Sequence, residues 1–409
     1  MLVFAWISSQ LFFEEESKLL FTSVKEIVFP VDDLYSNQLE VLNVVFPAEP
    51  LFLDPNLADP ITRQRTDNIF ETLVRFDRDL YVEPVLALSW GMLDDYTWEF
   101  NLRPNVKFHD GSNFDMDDVL SSFNRAMNSD ESELIGVLST IELIYPENDN
   151  TFILKTINPD PLLLQRLTTL RIFPSEYEDY DEIPSIGTAP YEFVSWEKED
   201  VMTLKRFENY WGPVSQFKEV NIFTSVDKNE RVRMLVEGEV DLLVFVPFDA
   251  VSFLEEYNYD MRFIPSLEVQ FLMFNFLSDY FSDIDNRKAF SLALNQQNLI
   301  NAVGGYAKKV NQFVSNGVFG FNLEIPSHEY DIDKAKALVN STGLQGKTIQ
   351  FHLPIGLTVL GDFVRESLSE IGVNVVVSNL SMEDLVKSME SGDADLYFFG
   401  FKSELADSA

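Results

Sequence analysis

The run Thr97–Val119, TWEFNLRPNVKFHDGSNFDMDDV, commits the chain to a strand, a tight turn and a helix in quick succession. Trp98, Phe100 and Leu102 alternate with Glu99, Asn101 and Arg103, which gives a strand one apolar and one polar face. Pro104 and Asn105 break it. A second short strand, Val106–Phe108, leads into Asp110-Gly111, a tight-turn dipeptide because Gly adopts positive φ at no steric cost. Asp115 reads as a helix N-cap, with Asp118 near the third helical position and Val119, Phe123 and Ala126 at helical spacing behind it. The unit is a β-hairpin feeding a helix.

Composition limits what such a chain can do. At 409 residues and 46% hydrophobic it is long enough for two or three domains with real cores. It has no cysteine, which excludes disulfides, thiolate metal sites and cysteine nucleophiles. The net charge of −37 makes the surface repel nucleic-acid phosphates and anionic lipid headgroups, so no nucleic-acid partner is expected. A solvated, aggregation-resistant surface explains that acidity better than an acidic binding site does. Catalytic patterns are missing as well. His109, His328 and His352 show no H-E-x-x-H spacing, and there is no G-x-S-x-G, P-loop or G-x-G-x-x-G. Asp94-Asp95 and Asp117-Asp118 fall at turn and cap positions, and His109 reads as structural. No catalytic residue, metal site or cofactor is expected.

The Thr97–Val119 run resembles a signature of the extracytoplasmic solute-binding proteins of ABC importers, in the peptide/nickel-binding family (family 5). That pattern reads W-x-F-x-L-R-x-x-V-x-F-H-D-G, a few residues, then D-V; this chain supplies Trp98, Phe100, Leu102, Arg103, Val106, Phe108, His109, Asp110, Gly111, Asp118 and Val119. The resemblance extends along the chain. Leu39–Phe46 reads as an apolar strand, and Glu49 to Pro55 matches the family's opening strand and L-D-P turn. Pro60 opens a helix expected to place Ile61, Ile69, Leu73 and Phe76 on one face. Gly187-Thr188-Ala189-Pro190-Tyr191 is similar to the G-T-G-P-Y loop, with Ala189 replacing a Gly and so reshaping the loop wherever positive φ is needed. Asn209-Tyr210-Trp211-Gly212 matches an N-x-Y-W-G turn. A helix over Glu230–Glu237 ends at Gly238, followed by a buried strand over Val240–Val246. One helix is expected over Asp285–Ala302, one opening at Tyr330-Asp331 and closed by Gly343, then a helix-to-strand junction at Glu370-Ile371-Gly372 and a last strand over Asp395–Phe401.

The fold class is α/β. The resemblance implies a two-lobe periplasmic-binding-protein fold (type II-like) with an extra subdomain inserted in lobe I. Residues 39–58 and 183–265 would form lobe I, 59–182 the inserted subdomain and 266–409 lobe II. Family chains continue past the last strand, so the C-terminal part of the family fold is expected to be missing. Residues 1–38 read as the remnant of a membrane anchor or signal and its tether, because Leu2–Phe13 is apolar yet too short to span a bilayer. An amphipathic helix packed on the body is the alternative. An extracytoplasmic location, with tethering through the N-terminus, follows from the resemblance.

The resemblance also implies a site between the lobes. An extended peptide would add as a strand between two protein edges, its main chain giving affinity and water-filled pockets accepting varied side chains. One edge would be Glu49, Pro50 and Leu51, where Pro50 donates no hydrogen bond. The other would be Phe399, Gly400 and Phe401, and the acids after it, Glu404 and Asp407, would meet the peptide's ammonium. Phe401 stands for the family's Trp and Glu404 for its Asp. The expected partners are a short peptide and the permease subunits of an ABC transporter, with the chain acting as a monomer. The alternatives are an oligosaccharide, heme or nickel-chelate ligand on the same fold, invited by the 36 phenylalanines, or a sensor or scaffold domain that feeds no transporter.

Overall fold

The computed structural model describes residues 2–8, 40–50, 52–57, 60–129, 132–178, 183–302, 305–315, 318, 320–326 and 329–402. The chain divides into two compact units, Gln10–Arg262 and Met1–Ser9 with Phe263–Ala409.

Among the described residues the first unit holds two larger sheets and a two-stranded one, Val74–Phe76 with Val82–Pro84. One has five strands in the order Leu242–Leu243, Val41–Phe46, Glu219–Thr224, Val201–Arg206, Tyr191–Glu197. Val41–Phe46 runs parallel to both of its neighbours, and the remaining pairs are antiparallel. The other is a four-stranded antiparallel sheet in the order Ala87–Asp94, Thr97–Leu102, Thr151–Thr156, Ile141–Asn148. Its inner face carries Phe100 and Phe152, stacked 5.0 Å apart, against Phe123 of the helix Met116–Asn128. These form a core with Val106, Phe108, Val119 and Ala126 that is closed to water.

The β-hairpin-to-helix run therefore lies at the centre of that core. Asp115 caps the helix, and the Asp118 carboxylate at the third position accepts from the Asp115 N–H, a full capping box. Gly111 takes φ of 90° in the turn. The second strand of the run shrinks to one bridge, Lys107 to Asn113, because the turn closes after Phe108.

Three other elements differ from the sequence reading. The helix opened by Pro60 stops at Thr66, whose hydroxyl donates back to the Thr62 and Arg63 carbonyls; Phe76 belongs to the strand Val74–Phe76. The strand expected over Val240–Val246 is only Leu242–Leu243, because Phe245 takes a positive φ of 58° just before Pro247. The single helix expected over Asp285–Ala302 is two, Ile284–Ala293 and Gln296–Ala302. Asn295 breaks it by accepting the Asn298 N–H with its side chain, which starts a new helix rather than continuing the old one.

The second unit is built on a six-stranded sheet in the order Ala307–Val310, Leu2–Ser8, Ile264–Phe274, Leu396–Lys402, Thr348–Pro354, Asn374–Leu380. Leu2–Ser8, expected as a signal or anchor remnant, supplies a strand here, and residues 9–39 lie outside the described ones. Helices Ile284–Ala293, Ile332–Thr342 and Thr358–Glu370 bury Phe290, Val339 and Val364 in a core with Leu272, Phe351, Leu396 and Phe398. The helix capped by Asp331 ends at Gly343 in the left-handed conformation, as its sequence indicates. Among the described residues no helix is long and apolar enough to cross a membrane.

Candidate functional site

The expected site residues fall in both units. In the second unit, Asp395 fixes the start of the last strand. Its main-chain oxygen accepts from Asn275 N–H at 2.9 Å, and its carboxylate accepts from the Gln350 N–H at 2.8 Å and from the Ser278 hydroxyl. From there the strand alternates. Leu396 and Phe398 enter the helix-covered core, whereas Tyr397 and Phe399 join clusters on the opposite face of the sheet. Phe399 packs 6.2 Å from the Phe271 ring, which also meets Phe313 edge-on at 5.0 Å.

The two edges of this strand are not equivalent. It pairs with Ile264–Phe274 along its whole length, from Leu396 opposite Phe274 to Lys402 opposite Glu268. With Thr348–Pro354 it shares only Phe351 to Leu396 and His352 to Tyr397. Beyond Tyr397, no strand among the described residues covers the second edge. Phe399, Gly400 and Phe401 thus lie where main-chain groups are available to a further strand. Glu404 and Asp407 lie outside the described residues.

In the first unit, the chain leaving Val41–Phe46 is held by side chains. Glu49 accepts from the Trp196 indole N–H at 2.7 Å and from the Glu199 N–H at 2.8 Å. Arg65 is 1% exposed; it donates to the Ala48 carbonyl at 2.8 Å, and its guanidinium lies 3.7 Å from the centroid of the Phe46 ring. Burial pulls the Arg65 pKa down to about 10, with the nearby Glu49 carboxylate opposing that shift. Pro50 is buried, and Leu51 lies outside the described residues. The Asp54-Pro55 turn closes through Asn56 N–H donating to Asp54 at 2.7 Å, and Arg125 pairs with Asp54 at 3.3 Å. One oxygen of the Glu49 carboxylate, Oε1, is thus engaged within the protein. Arg65 and Trp196 were not foreseen, because their role depends on packing between distant segments.

Two motifs that stand apart in sequence, the G-T-A-P-Y loop and the N-Y-W-G turn, converge on Glu71. Its carboxylate accepts from Tyr210 Oη at 2.9 Å, Trp211 Nε1 at 2.8 Å and Thr188 Oγ1 at 2.8 Å. Burial pushes the Glu71 carboxyl up, while these three donors pull the other way. Next to it, His109 Nε2–H donates to the Ala189 carbonyl at 2.9 Å, and its Nδ1 accepts from the Gly187 N–H at 3.2 Å. Burial holds His109 below its usual range, as suits a neutral ring serving as donor and acceptor at once. This arrangement welds the G-T-A-P-Y loop to the hairpin and gives His109 a structural role. Ala189 does not take positive φ, so the expected reshaping does not arise there. Gly187 is the constrained position: a Cβ would lie 1.9 Å from the Ile69 carbonyl oxygen.

Comparison with known proteins agrees with this architecture. Residues 81–408 match the family model described as "Bacterial extracellular solute-binding proteins, family 5 Middle". Among curated proteins, the chain is 26% identical over 343 residues to the glutathione-binding protein GsiB of Pectobacterium atrosepticum, covering 80% of this chain and 66% of that one. It is 24% identical over 366 residues to the dipeptide-binding protein of Escherichia coli, covering 80% and 68%. The chain therefore spans about two thirds of the length of these relatives. Among solved structures, the periplasmic binding protein DppA of Helicobacter pylori in complex with peptide STSA aligns with a TM-score of 0.73 at 26% identity, over 90% of this chain and 79% of that one. NikA of Brucella suis in complex with Fe(III)-EDTA aligns with a TM-score of 0.82 at 22% identity, over 88% and 79%, a likeness of fold.

Proposed function

The chain belongs to the bacterial extracellular solute-binding proteins of family 5, and we propose on that footing that it takes short peptides by their main chain and delivers them to the permease subunits of an ABC importer. The observation that carries the peptide reading is the strand Leu396–Lys402, which among the described residues has a single strand neighbour beyond Tyr397 and bears Phe399, Gly400 and Phe401 along that edge. An extended peptide presents the N–H and C=O groups that such an edge needs. The reading also assigns peptide contact to the main chain at Glu49, Pro50 and Leu51 in the first unit, where Arg65 holds the Ala48 carbonyl and Trp196 holds Glu49. Glu404 and Asp407 take the peptide's ammonium. The protein is a non-catalytic, monomeric, extracytoplasmic receptor.

Calorimetric titration with tetra-alanine and its N-acetylated form tests the reading. The free peptide is expected to bind, and acetylation to weaken binding by about tenfold or more, because the carboxylates lose a charged donor. Failure of peptides to bind, with tight binding of a sugar or a metal chelate instead, contradicts it.

A further inference from the structure

The strand Ile264–Phe274 changes character along one face. Leu272 and Phe274 sit in the helix-covered core, but Gln270 and Glu268, the next residues of the same parity, are polar and half-buried. In register they lie opposite Gly400 and Lys402 of the last strand. Gly400 makes room for them. A Cβ at that position would stand 2.7 Å from Glu268 Oε1 and 3.4 Å from Gln270 Cγ, so the Glu268 carboxylate leans over the glycine toward the strand's uncovered edge.

The pair is short of donors. Gln270 Nε2 donates to Glu268 Oε1 at 2.9 Å, which leaves the carboxamide oxygen as a second acceptor. That oxygen is buried and has no hydrogen-bond partner. A buried acceptor left unmade costs free energy, and a carboxylate beside it favours a charged donor over a neutral one. An ammonium or guanidinium group offers several N–H donors and can serve both acceptors at once. The opposite face of the same strand differs sharply. Phe399 lies there with Phe271, Phe313, Met273 and Val310.

We propose that Glu268 and Gln270, reaching over Gly400, form a side-chain subsite that selects a lysine or arginine at one position of the bound peptide. The inference rests on the peptide reading above and names a specificity that the reading does not contain. Because side chains alternate along a strand, a peptide paired to this edge turns successive residues to opposite faces. The cationic preference therefore falls at one position, and its immediate neighbours face the phenylalanines.

The experiment is calorimetric titration of the purified chain with tetra-alanine and with variants carrying lysine or norleucine at each position in turn. Lysine is expected to exceed norleucine by about tenfold at one position, with no such preference at the adjoining ones. Glu268→Gln should reduce that ratio to about twofold or less. A lysine preference that survives Glu268→Gln, or a preference at no position, overturns the subsite. Tetra-alanine binding to the unaltered chain reports on the peptide reading separately, so its loss is told apart from loss of the lysine preference alone.

Discussion

Gly187 is where one atom decides most. The Cβ of any other residue would meet the Ile69 carbonyl oxygen at 1.9 Å and the Phe70 Cα at 2.8 Å, both of them main chain that cannot rotate aside. Gly187→Ala should therefore cost about 3 kcal/mol or more in urea unfolding, whereas Gly111→Ala, with open space around it but φ of 90°, should cost about 1 kcal/mol. Comparable losses for the two variants would contradict the close approach. Asp118 supplies a pH signature. Burial pushes its carboxyl from 3.8 up to about 6 against the pull of the Ser175 and Asp115 N–H groups. A folded-state value above the unfolded one stabilises the fold fully below about pH 3.8, and that contribution is lost as pH rises through about 6. Relative to Asp118→Asn, the wild type should lose roughly 2 kcal/mol between pH 4 and 7 in chemical denaturation; a constant difference would argue against a raised carboxyl. Asp115 and Asp118 were legible as cap residues because capping is local in sequence. Glu71 was not, because its donors Thr188, Tyr210 and Trp211 come from far along the chain.

Elements were legible where their ends are written locally and opaque where pairing partners set their length. The helix Ile332–Thr342 has its cap at Asp331 and its stop at Gly343, both visible in sequence. The apolar run after Gly238 looked like a full strand, yet only Leu242–Leu243 pairs with Val41–Phe46, and the positive φ of Phe245 that shortens it has no sequence signature. The break at Leu294–Asn295 had a signal, an Asn followed by a second apolar series, that the helical spacing of the whole stretch masked. For the last strand, the alternation of Leu396 and Phe398 against Tyr397 and Phe399 was readable, but its uncovered edge depends on where Thr348–Pro354 stops pairing. That edge makes a prediction for the element. Saturating peptide should slow amide hydrogen exchange in residues 398–402 and leave Asn374–Leu380, at the far edge of the sheet, unchanged. Protection confined to other segments would place the ligand elsewhere.

At the scale of the molecule, the α/β class, the family and the order of most elements came from fixed residue types at fixed spacing. The ligand did not. Relatives named for glutathione and for dipeptide match this chain to a similar degree, so membership of the family does not by itself give the ligand. Glu268 and Gln270 gained meaning only once the register set them beside Gly400. The acidity, with 67 acidic against 30 basic side chains, speaks to solubility and to repulsion of polyanions and leaves the ligand open. The most direct measurement is native mass spectrometry of the purified chain, with any co-purified ligand released and weighed. The account predicts a ladder of short peptides of mixed sequence enriched in lysine or arginine; a single sugar or metal-chelate mass would contradict it.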